Sequence, residues 1–237
     1  MVYAKILLTD EQRHELTKFP EDVKDWKIAK YYTFNDFDIT VILGQRKDYN
    51  RIGFALQLCC LRYPGWTLTN INDIPEVIVQ YVASQINADT RDLQSYGLLE
   101  KTRLEHLQKL RKIYGFRFFG DPDEATLHHY LMPFAMESDN ILRLIKLSID
   151  RLREQKIILP GITRIERIVS VVSGEAEDKI YNIINASLGS KQKKQLDKLI
   201  HSADEEQSTI LAFLKEEPGQ GSPQAFMKII EHRFSCI

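Results

Sequence analysis

Hydrophobic residues recur three and four positions apart along almost the whole chain. That spacing places them on one face of an α-helix, which is the face that packs into a protein core. The pattern predicts helices over residues 9–19, 22–32, 36–43, 49–63, 74–86, 89–96, 101–114, 121–132, 140–155, 162–172, 176–188 and 224–234, and from 190 onward. No pair of segments shows the alternation that marks paired strands. The sequence therefore predicts an all-α fold.

Polar residues and helix breakers mark where several of these helices begin and end. Thr9 followed by Gln12 is a capping-box pattern, and Asn35 and Asp48 are N-cap candidates for the third and fourth helices. Pro133 is expected to interrupt the helix that begins near residue 121, because proline lacks a backbone donor and its ring crowds the preceding turn. These signals divide the chain into short helices joined by tight turns.

Residues 45–66 combine a polar, basic start with a helix that is apolar on all sides. The start contains Gln45, Arg46, Lys47, Asn50 and Arg51, and apolar side chains then cover almost the whole circumference. A helix of this kind is buried in a domain, so only its first turn can contact solvent. Its free N–H groups and dipole attract anions there. Two interpretations stay open: the start contacts a phosphate backbone, or it is the solvated end of a core helix.

The order of helix, short helix, glycine and long helix occurs twice in the first half of the chain. Asp36 precedes Gly44 by as many residues as Asp89 precedes Gly97, and the apolar positions of the two long helices have the same spacing. Two short helices followed by a longer one form the minimal helix-turn-helix scaffold. We therefore predict two tandem tri-helical helix-turn-helix (homeodomain-like) units, residues 1–66 and 67–120, followed by an α-helical connector bundle over residues 121–237.

Basic residues concentrate on the second long helix and just beyond it. Against the single acid Glu105, the basic side chains of this segment are Lys101, Arg103, Lys109, Arg111, Lys112 and Arg117. A later helix also starts with positive charge, which opposes the helix dipole unless an anion neutralises it; these residues are Lys191, Lys193 and Lys194. Runs of charged residues usually form solvent-exposed helix faces. For these basic residues, solvent exposure alone and contact with a polyanion are therefore two alternative hypotheses.

Composition limits the remaining function classes. The 237 residues carry a formal net charge of -1, so any nucleic-acid surface must be a local patch. No apolar run approaches the ~20 residues that cross a bilayer, and the first residues lack the apolar core of a signal peptide. Three cysteines, two of them adjacent, are typical of reduced, buried thiols. We expect a cytoplasmic protein without membrane contact.

Motifs for catalysis or cofactor binding are missing from the sequence. It contains no glycine-rich phosphate loop, no nucleophile elbow and no paired metal motif. Glu124, His128 and His129 are the best metal candidates, but adjacent histidines point to different faces of a helix and a further ligand is not near. Cys59 and Cys60 lie on an apolar helix, where burial raises the pKa of a thiol. We therefore predict no catalytic residues, no metal and no cofactor.

The run of residues 31–66 resembles the start of the large replicative transposases of the Tn-three family. Those proteins open with an aromatic-rich helix, an acidic turn and the block R-x-x-x-N-R-x-G-F-A-x-Q-L-x-x-x-R. In this sequence the block is Arg46, Asn50, Arg51, Gly53, Phe54, Ala55, Gln57, Leu58 and Arg62. The likeness continues through residues 74–86, 101–119, 155–169 and 222–231, so it covers essentially the whole chain.

The resemblance implies an N-terminal portion that binds the terminal inverted repeats of a transposon as sequence-specific duplex DNA. In that family the DDE catalytic domain, whose three carboxylates hold two Mg²⁺ ions, lies far downstream. We accordingly expect no nuclease or strand-transfer activity from this chain. The alternative is a helical protein-interaction or dimerisation module without DNA contact, and a homodimer is compatible with either function.

We expect the DNA contacts to come from the start of the central helix, from the family block and from the second long helix. An arginine reads guanine and an asparagine reads adenine through paired hydrogen bonds. A lysine such as Lys47 anchors a phosphate without reading sequence. The predicted DNA-binding residues are Arg46, Lys47, Asn50, Arg51, Gln57, Arg62, Lys101, Arg103, Lys109, Arg111, Lys112 and Arg117.

Overall fold

The computed structural model describes residues 7–19, 26–98 and 100–200, and the chain divides into two compact units, residues 1–177 and 178–237. The elements confirm the all-α prediction. The described helices are α1 (Asp10–Thr17), α2 (Trp26–Tyr31), α3 (Asp36–Leu43), α4 (Asp48–Arg62), α5 (Glu76–Gln85), α6 (Gln94–Gly97), α7 (Glu100–Tyr114), α8 (Asp121–Glu137), α9 (Ile141–Glu154), α10 (Ile162–Ser187) and α11 (Ser190–Ile200).

Two very short strands lie among these helices. Strand β1 (Arg117–Phe118) pairs in parallel with β2 (Ile157–Ile158). The sequence did not predict this pair, because two residues are too few to show a periodicity. A turn of 3-10 helix at Ile71–Asp73 precedes α5, where the sequence predicted a helix from residue 74 onward. None of the described helices is both long and apolar enough to cross a membrane.

Helices α1 and α3 begin with the capping residues that the sequence predicts. The Thr9 hydroxyl accepts from the Gln12 N–H at 3.2 Å, and the Gln12 side chain accepts from the Thr9 N–H at 3.0 Å. At α3 the Asn35 side chain accepts from the Asp38 N–H at 2.8 Å, and Asp38 accepts in return from the Asn35 N–H at 3.2 Å. Each box satisfies two backbone donors that a helix start leaves unpaired.

Two predicted breaks between helices are wrong, and the helix predicted over residues 89–96 is shorter, since α6 begins only at Gln94. Pro133 stays inside α8, because it lies on the exposed side while Leu131 and Ala135 on either side of it are buried. Burial of that face offsets the ~3 kcal/mol that an interior proline costs. The predicted break between residues 172 and 176 is also missing, and α10 continues through the exposed Gly174. The helix predicted over residues 224–234 lies outside the described part of the chain.

The central helix α4 is the middle of the larger core, as its pattern predicts. Every residue from Ile52 to Leu61 is buried, and α3, α5, α6 and α7 pack around it. Gly53 allows the Tyr96 ring of α6 to lie directly on the α4 backbone, since an added Cβ would be 2.3 Å from a ring carbon. Helix α6 has four residues whereas α3 has eight. The tandem helix-turn-helix arrangement stays a prediction.

A polar cluster holds α4, α6 and α7 together inside this core. The Gln57 amide donates to the Tyr96 hydroxyl at 2.8 Å and to the Arg103 carbonyl at 3.0 Å. The Tyr96 hydroxyl shares a hydrogen bond of 3.1 Å with Nδ1 of His106. The His106 ring stacks on Tyr96 and meets the edge of Phe54. These bonds fix the angle at which α7 crosses α4.

Acid is expected to destabilise the first unit through His106. Burial and the nearby Lys109 lower the pKa of His106 from 6.5 to about 4. Between these values the unfolded chain binds a proton that the folded chain does not, so the free energy of unfolding falls as pH falls from 6.5 towards 4. Urea unfolding of His106→Gln at several pH values should lack that part of the pH dependence.

The matched control for this measurement is His129→Gln, because His129 is exposed on α8. Its unfolding free energy should follow the pH dependence of the parent protein. Equal pH dependence in the parent and in His106→Gln would contradict the assignment.

A second core lies between α8, α9 and α10 in the same unit. Leu8 and the inward faces of the three helices form it. Arg13 of α1 contacts Glu166 of α10 with two hydrogen bonds, Nε to Oε1 at 2.8 Å and Nη2 to Oε2 at 3.1 Å. This pair fixes α1 against α10.

Two hydrogen bonds to backbone carbonyls connect the two cores. The Leu159 N–H donates to the Gly65 carbonyl at 3.0 Å, and the Trp66 indole donates to the Pro160 carbonyl at 2.9 Å. The predicted domain boundaries after residues 66 and 120 stay predictions. In the second unit, the last turns of α10 expose Tyr181 and Ile183, and α11 follows Gly189.

Candidate nucleic-acid interface

The turn between α3 and α4 is held by the buried side chain of Gln45. Its amide nitrogen donates to the Val41 carbonyl at 2.8 Å, and its amide oxygen accepts from Nζ of Lys109 at 3.2 Å. Lys109 belongs to α7, so this one amide joins α3, the turn and α7. The two residues that follow in the turn, Arg46 and Lys47, are exposed beside this contact. The arrangement brings cations from distant parts of the sequence to one place.

We define the basic surface as Arg46, Lys47, Lys109 and Lys112. All four residues are exposed, and Lys112 lies one helical turn after Lys109 on α7. Among the described residues, neither Arg46 nor Lys112 forms an ion pair or a hydrogen bond through its side chain. The surface therefore presents positive charge that the protein itself does not neutralise.

Lys47 is the residue from which α4 starts, and its backbone is strained. The sequence predicted Asp48 as the N-cap, but Asp48 is the first helical residue and Lys47 precedes it with a φ of 63°. Residues with a Cβ rarely adopt a positive φ, and such strain often occurs at binding sites. No side chain caps α4, and of its first four N–H groups those of Asn50 and Arg51 donate to the Lys47 carbonyl, at 3.2 and 3.1 Å.

Two predicted base-reading residues are turned towards the protein. The Arg51 guanidinium donates to the Gln45 carbonyl at 3.0 Å and to the Asp48 carboxylate at 3.0 Å. The Oδ1 atom of Asn50 is buried without a hydrogen-bond partner. Reading adenine requires that oxygen to accept a hydrogen bond. In this conformation Asn50 is not oriented for such a contact, and its role stays a prediction.

Four further predicted DNA-binding residues form contacts within the protein. Gln57 is buried in the cluster between α4 and α7. Arg62 donates to both oxygens of Asp38, at 2.8 and 2.9 Å. Arg103 donates to the Thr69 carbonyl at 2.8 Å. The Arg111 guanidinium lies 4.2 Å from the centre of an aromatic ring of β1.

The last two predicted residues, Lys101 and Arg117, lie at the two ends of residues 101–117. Arg117 donates to both carboxylate oxygens of Asp123, and these hydrogen bonds lower the pKa of that carboxyl. Lys101 is exposed near the start of α7, with Glu105 at 4.0 Å. It is eight residues from Lys109, which corresponds to about 12 Å along a helix. The structure does not bring either residue into the basic surface.

Acidic residues border the basic surface on one side. A cleft of about 640 Å³ begins at Lys47, and Asp48, Asp89 and Asp92 line it together with Arg91, whose guanidinium pairs with Asp89. Asp48 also accepts from the Asp89 N–H at 3.2 Å. The cleft therefore adds no excess positive charge, whereas the side of the surface next to α7 carries Lys109 and Lys112 and is the side that favours a polyanion.

The metal candidates and the two adjacent cysteines of the sequence analysis lie outside the basic surface. His128 lies 3.0 Å from Glu175, and Glu124 accepts from Arg164 at 2.9 Å. No group of three metal-binding side chains is found within the described ranges. Cys59 and Cys60 are buried, and burial raises the pKa of both thiols, as the apolar helix predicts.

Gln45 is the residue whose importance sequence reasoning missed. The sequence marks it as one polar residue among several donors, and its partner Lys109 lies 64 residues away. The one local signal was a glutamine beside a helix end, because an amide that becomes buried there has to find partners for both its donor and its acceptor.

Comparison with known protein families shows which family contains this chain. The family described as "Domain of unknown function (DUF4158)" matches residues 7–172. The chain belongs to the DUF4158 family. The DUF4158 region contains the turn before α4 and the whole of α7, so it includes the entire basic surface.

Curated relatives of this DUF4158 chain are transposases. It is 40% identical over 227 residues to the transposase for transposon Tn1546 of Enterococcus faecium. It is 33% identical over 227 residues to the transposase for transposon Tn501 of Pseudomonas aeruginosa, and 32% identical over 232 residues to that for Tn21 of Escherichia coli. The matches cover 95–96% of this chain and 23% of each relative, in the N-terminal part. The resemblance to this class of transposases is confirmed.

Proposed function

We propose that this chain binds duplex DNA at the terminal inverted repeats of a transposon, as the N-terminal part of a transposase. The observation that carries the proposal is the contact between Gln45 and Lys109. It joins the turn that carries the exposed Arg46 and Lys47 to α7, the helix that carries the exposed Lys109 and Lys112. The names of the relatives support the same partner, because a transposase acts on the DNA of its transposon.

In this proposal the lysines of the basic surface contact phosphates and position the protein. Lys47, Lys109 and Lys112 carry compact charges on flexible stems, which suit phosphate contacts that carry no sequence information. Arg46 has a planar guanidinium that can form two parallel hydrogen bonds with guanine. Affinity then depends on the lysines, and sequence preference depends on Arg46.

Lys109→Gln is expected to weaken binding to every duplex and to reduce the salt dependence. Glutamine can still donate to Gln45, so the turn keeps its position while the charge is lost. Each lost phosphate contact lowers the slope of log K against log salt by about 0.9. The measurement is a titration of a labelled duplex at several salt concentrations, with the end sequence and with a scrambled sequence.

The control for this charge effect is Lys146→Gln, which removes an exposed cation from α9, outside the basic surface. It should leave both affinity and slope unchanged. Equal slopes for the parent and Lys109→Gln would contradict the phosphate contact.

Arg46→Ala should bind scrambled duplex nearly as before and lose preference for the end sequence, by about 1–3 kcal/mol for one guanine contact.

The alternative function, a helical protein-interaction or dimerisation module, gives a different result in the same titration. Under that alternative neither duplex binds at low salt, where charge attraction is strongest. Sedimentation of the chain without DNA would then show whether it self-associates. Tight, salt-dependent binding of the end sequence would exclude a module that does not contact DNA.

A further inference from the structure

A groove of about 630 Å³ lies between α2, the end of α7 and the end of α9. None of the four residues of the basic surface lines it. Its walls are aromatic and basic: Trp26, Tyr31 and Tyr114 provide rings, and Lys30 and Lys156 provide ammonium groups. The duplex proposal does not use this groove. We name it the Trp26 groove.

The large apolar ring of Trp26 is in contact with solvent. The residue is 62% exposed, although tryptophan is mostly buried in folded proteins. Its ring centre lies 6.3 Å from that of Tyr31, and the Tyr31 ring stacks on Tyr63 at 5.3 Å with 17° between the planes. Behind the exposed ring there is thus a packed aromatic row, which would hold a flat ligand against a fixed surface.

Two lysines line the Trp26 groove together with these rings. The Lys30 ammonium lies 5.5 Å from the centre of the Trp26 ring and 4.8 Å from that of Tyr31. Lys156 donates to the Tyr114 carbonyl at 3.0 Å. Neither lysine forms an ion pair with a carboxylate in the described part of the chain. Both charges therefore remain to attract an anion.

The two carboxylates on the wall of the groove are already paired. Asp150 lies 3.1 Å from Arg153, and Glu154 lies 3.8 Å from Arg151. They cancel charges of these arginines and not those of Lys30 or Lys156. The remaining charge of the groove is positive, next to an exposed indole ring.

We infer that the Trp26 groove binds unpaired, single-stranded DNA, with a base stacked on Trp26 and phosphates at Lys30 and Lys156. The bases of a duplex are already stacked on each other, so a duplex offers phosphates but no free base face. A single strand offers both, and stacking on aromatic side chains beside a basic groove is how such strands are bound without sequence preference. This site is additional to the duplex site on the basic surface.

The test is a titration of the whole chain with a labelled oligothymidylate of about 10 nucleotides, within the range that one such site covers. Trp26→Ala should lower the affinity by about 10-fold or more, and Trp26→Phe should restore most of it because phenylalanine keeps a stacking face. Lys30→Gln should lower the affinity and the salt slope together. The exposed position of Trp26 makes these variants compatible with folding, which thermal unfolding would check.

A strand of the same length without bases separates stacking from charge. It should bind the parent chain as weakly as oligothymidylate binds Trp26→Ala. If the strand without bases binds as tightly as oligothymidylate, or if Trp26→Ala binds oligothymidylate like the parent, the inference is overturned. Equal binding of an acidic peptide would overturn it as well.

The two proposed sites are distinguished by titrating the variant of each site with the DNA that the other site is proposed to bind. Lys109→Gln should weaken duplex binding and leave oligothymidylate binding unchanged, and Trp26→Ala should do the opposite. If Lys109→Gln alone abolishes oligothymidylate binding, both strands use the basic surface and the separate site is excluded. If the parent chain does not bind duplex DNA, the proposed function is contradicted. The oligothymidylate titrations then still decide whether the Trp26 groove binds single strands.

Discussion

Replacing Arg62 with methionine is expected to destabilise the first unit by about 3–5 kcal/mol, because it leaves a buried carboxylate without its partner. The Asp38 side chain is 2% exposed and accepts from Arg62 through both oxygens, at 2.8 and 2.9 Å. Asp38 also accepts from the Asn35 N–H, a neutral donor that cannot balance the charge. Methionine fills a similar volume, so the loss is mostly electrostatic.

Urea unfolding followed by circular dichroism measures this effect. The double variant Asp38→Asn with Arg62→Met should recover much of the stability, since asparagine removes the charge and can still accept from the Asn35 N–H. Arg143→Met is the matched control: this arginine is half exposed, 4.0 Å from Glu137, and such a pair contributes at most about 1 kcal/mol.

The same variant decides what Arg62 does within the family block. A DNA contact at Arg62 would make Arg62→Met as stable as Arg143→Met and defective in duplex binding. The structure instead places Arg62 against Asp38, so we expect the loss in the unfolding experiment. Duplex binding by the folded fraction should then be close to that of the parent protein.

Local signals in the sequence were sufficient to predict the helices and their caps. The Thr9 and Asn35 capping boxes each involve residues three positions apart, and a pattern of that length is visible in the sequence. The burial of α4 follows from apolar residues on all of its faces. The predicted break at Pro133 was wrong. Whether a proline ends a helix depends on which face of that helix packs against a core, and this is not visible in the sequence.

Long-range contacts could not be predicted from periodicity. The spacing of apolar residues shows that a helix has a buried face, but not which helix covers it. The pair of Gln45 with Lys109 spans 64 residues, and that of Arg62 with Asp38 spans 24. Nothing local in the sequence records either partner.

This limit affects the candidate site most. A sequence identifies cations, but it does not show which of them are neutralised within the protein. Of the twelve predicted DNA-binding residues, four are exposed on the two segments that the Gln45–Lys109 contact joins, namely Arg46, Lys47, Lys109 and Lys112. The others are bonded internally or lie apart from the basic surface, which is why charge runs in a sequence overstate a binding site.

Gly53→Ala is expected to destabilise the first unit, towards the upper end of the about 1–3 kcal/mol that overpacking a core costs. The added Cβ would lie 2.3–2.5 Å from three ring carbons of Tyr96. That ring cannot withdraw, because Tyr96 is fully buried, its ring stacks on His106 and its hydroxyl accepts from the Gln57 amide. The clash therefore outweighs the ~1 kcal/mol by which alanine favours a helix over glycine.

Gly174→Ala gives the same chemical change without the clash. Gly174 lies inside α10, and an added Cβ would meet nothing within 4 Å. We expect this variant to be more stable than the parent by up to about 1 kcal/mol, so the two glycines should respond with opposite signs. Urea unfolding with unchanged m values measures both. A shift of the same sign and size in the two variants would show that Tyr96 does not pack on the α4 backbone, and that the glycine of the family block is there for another reason.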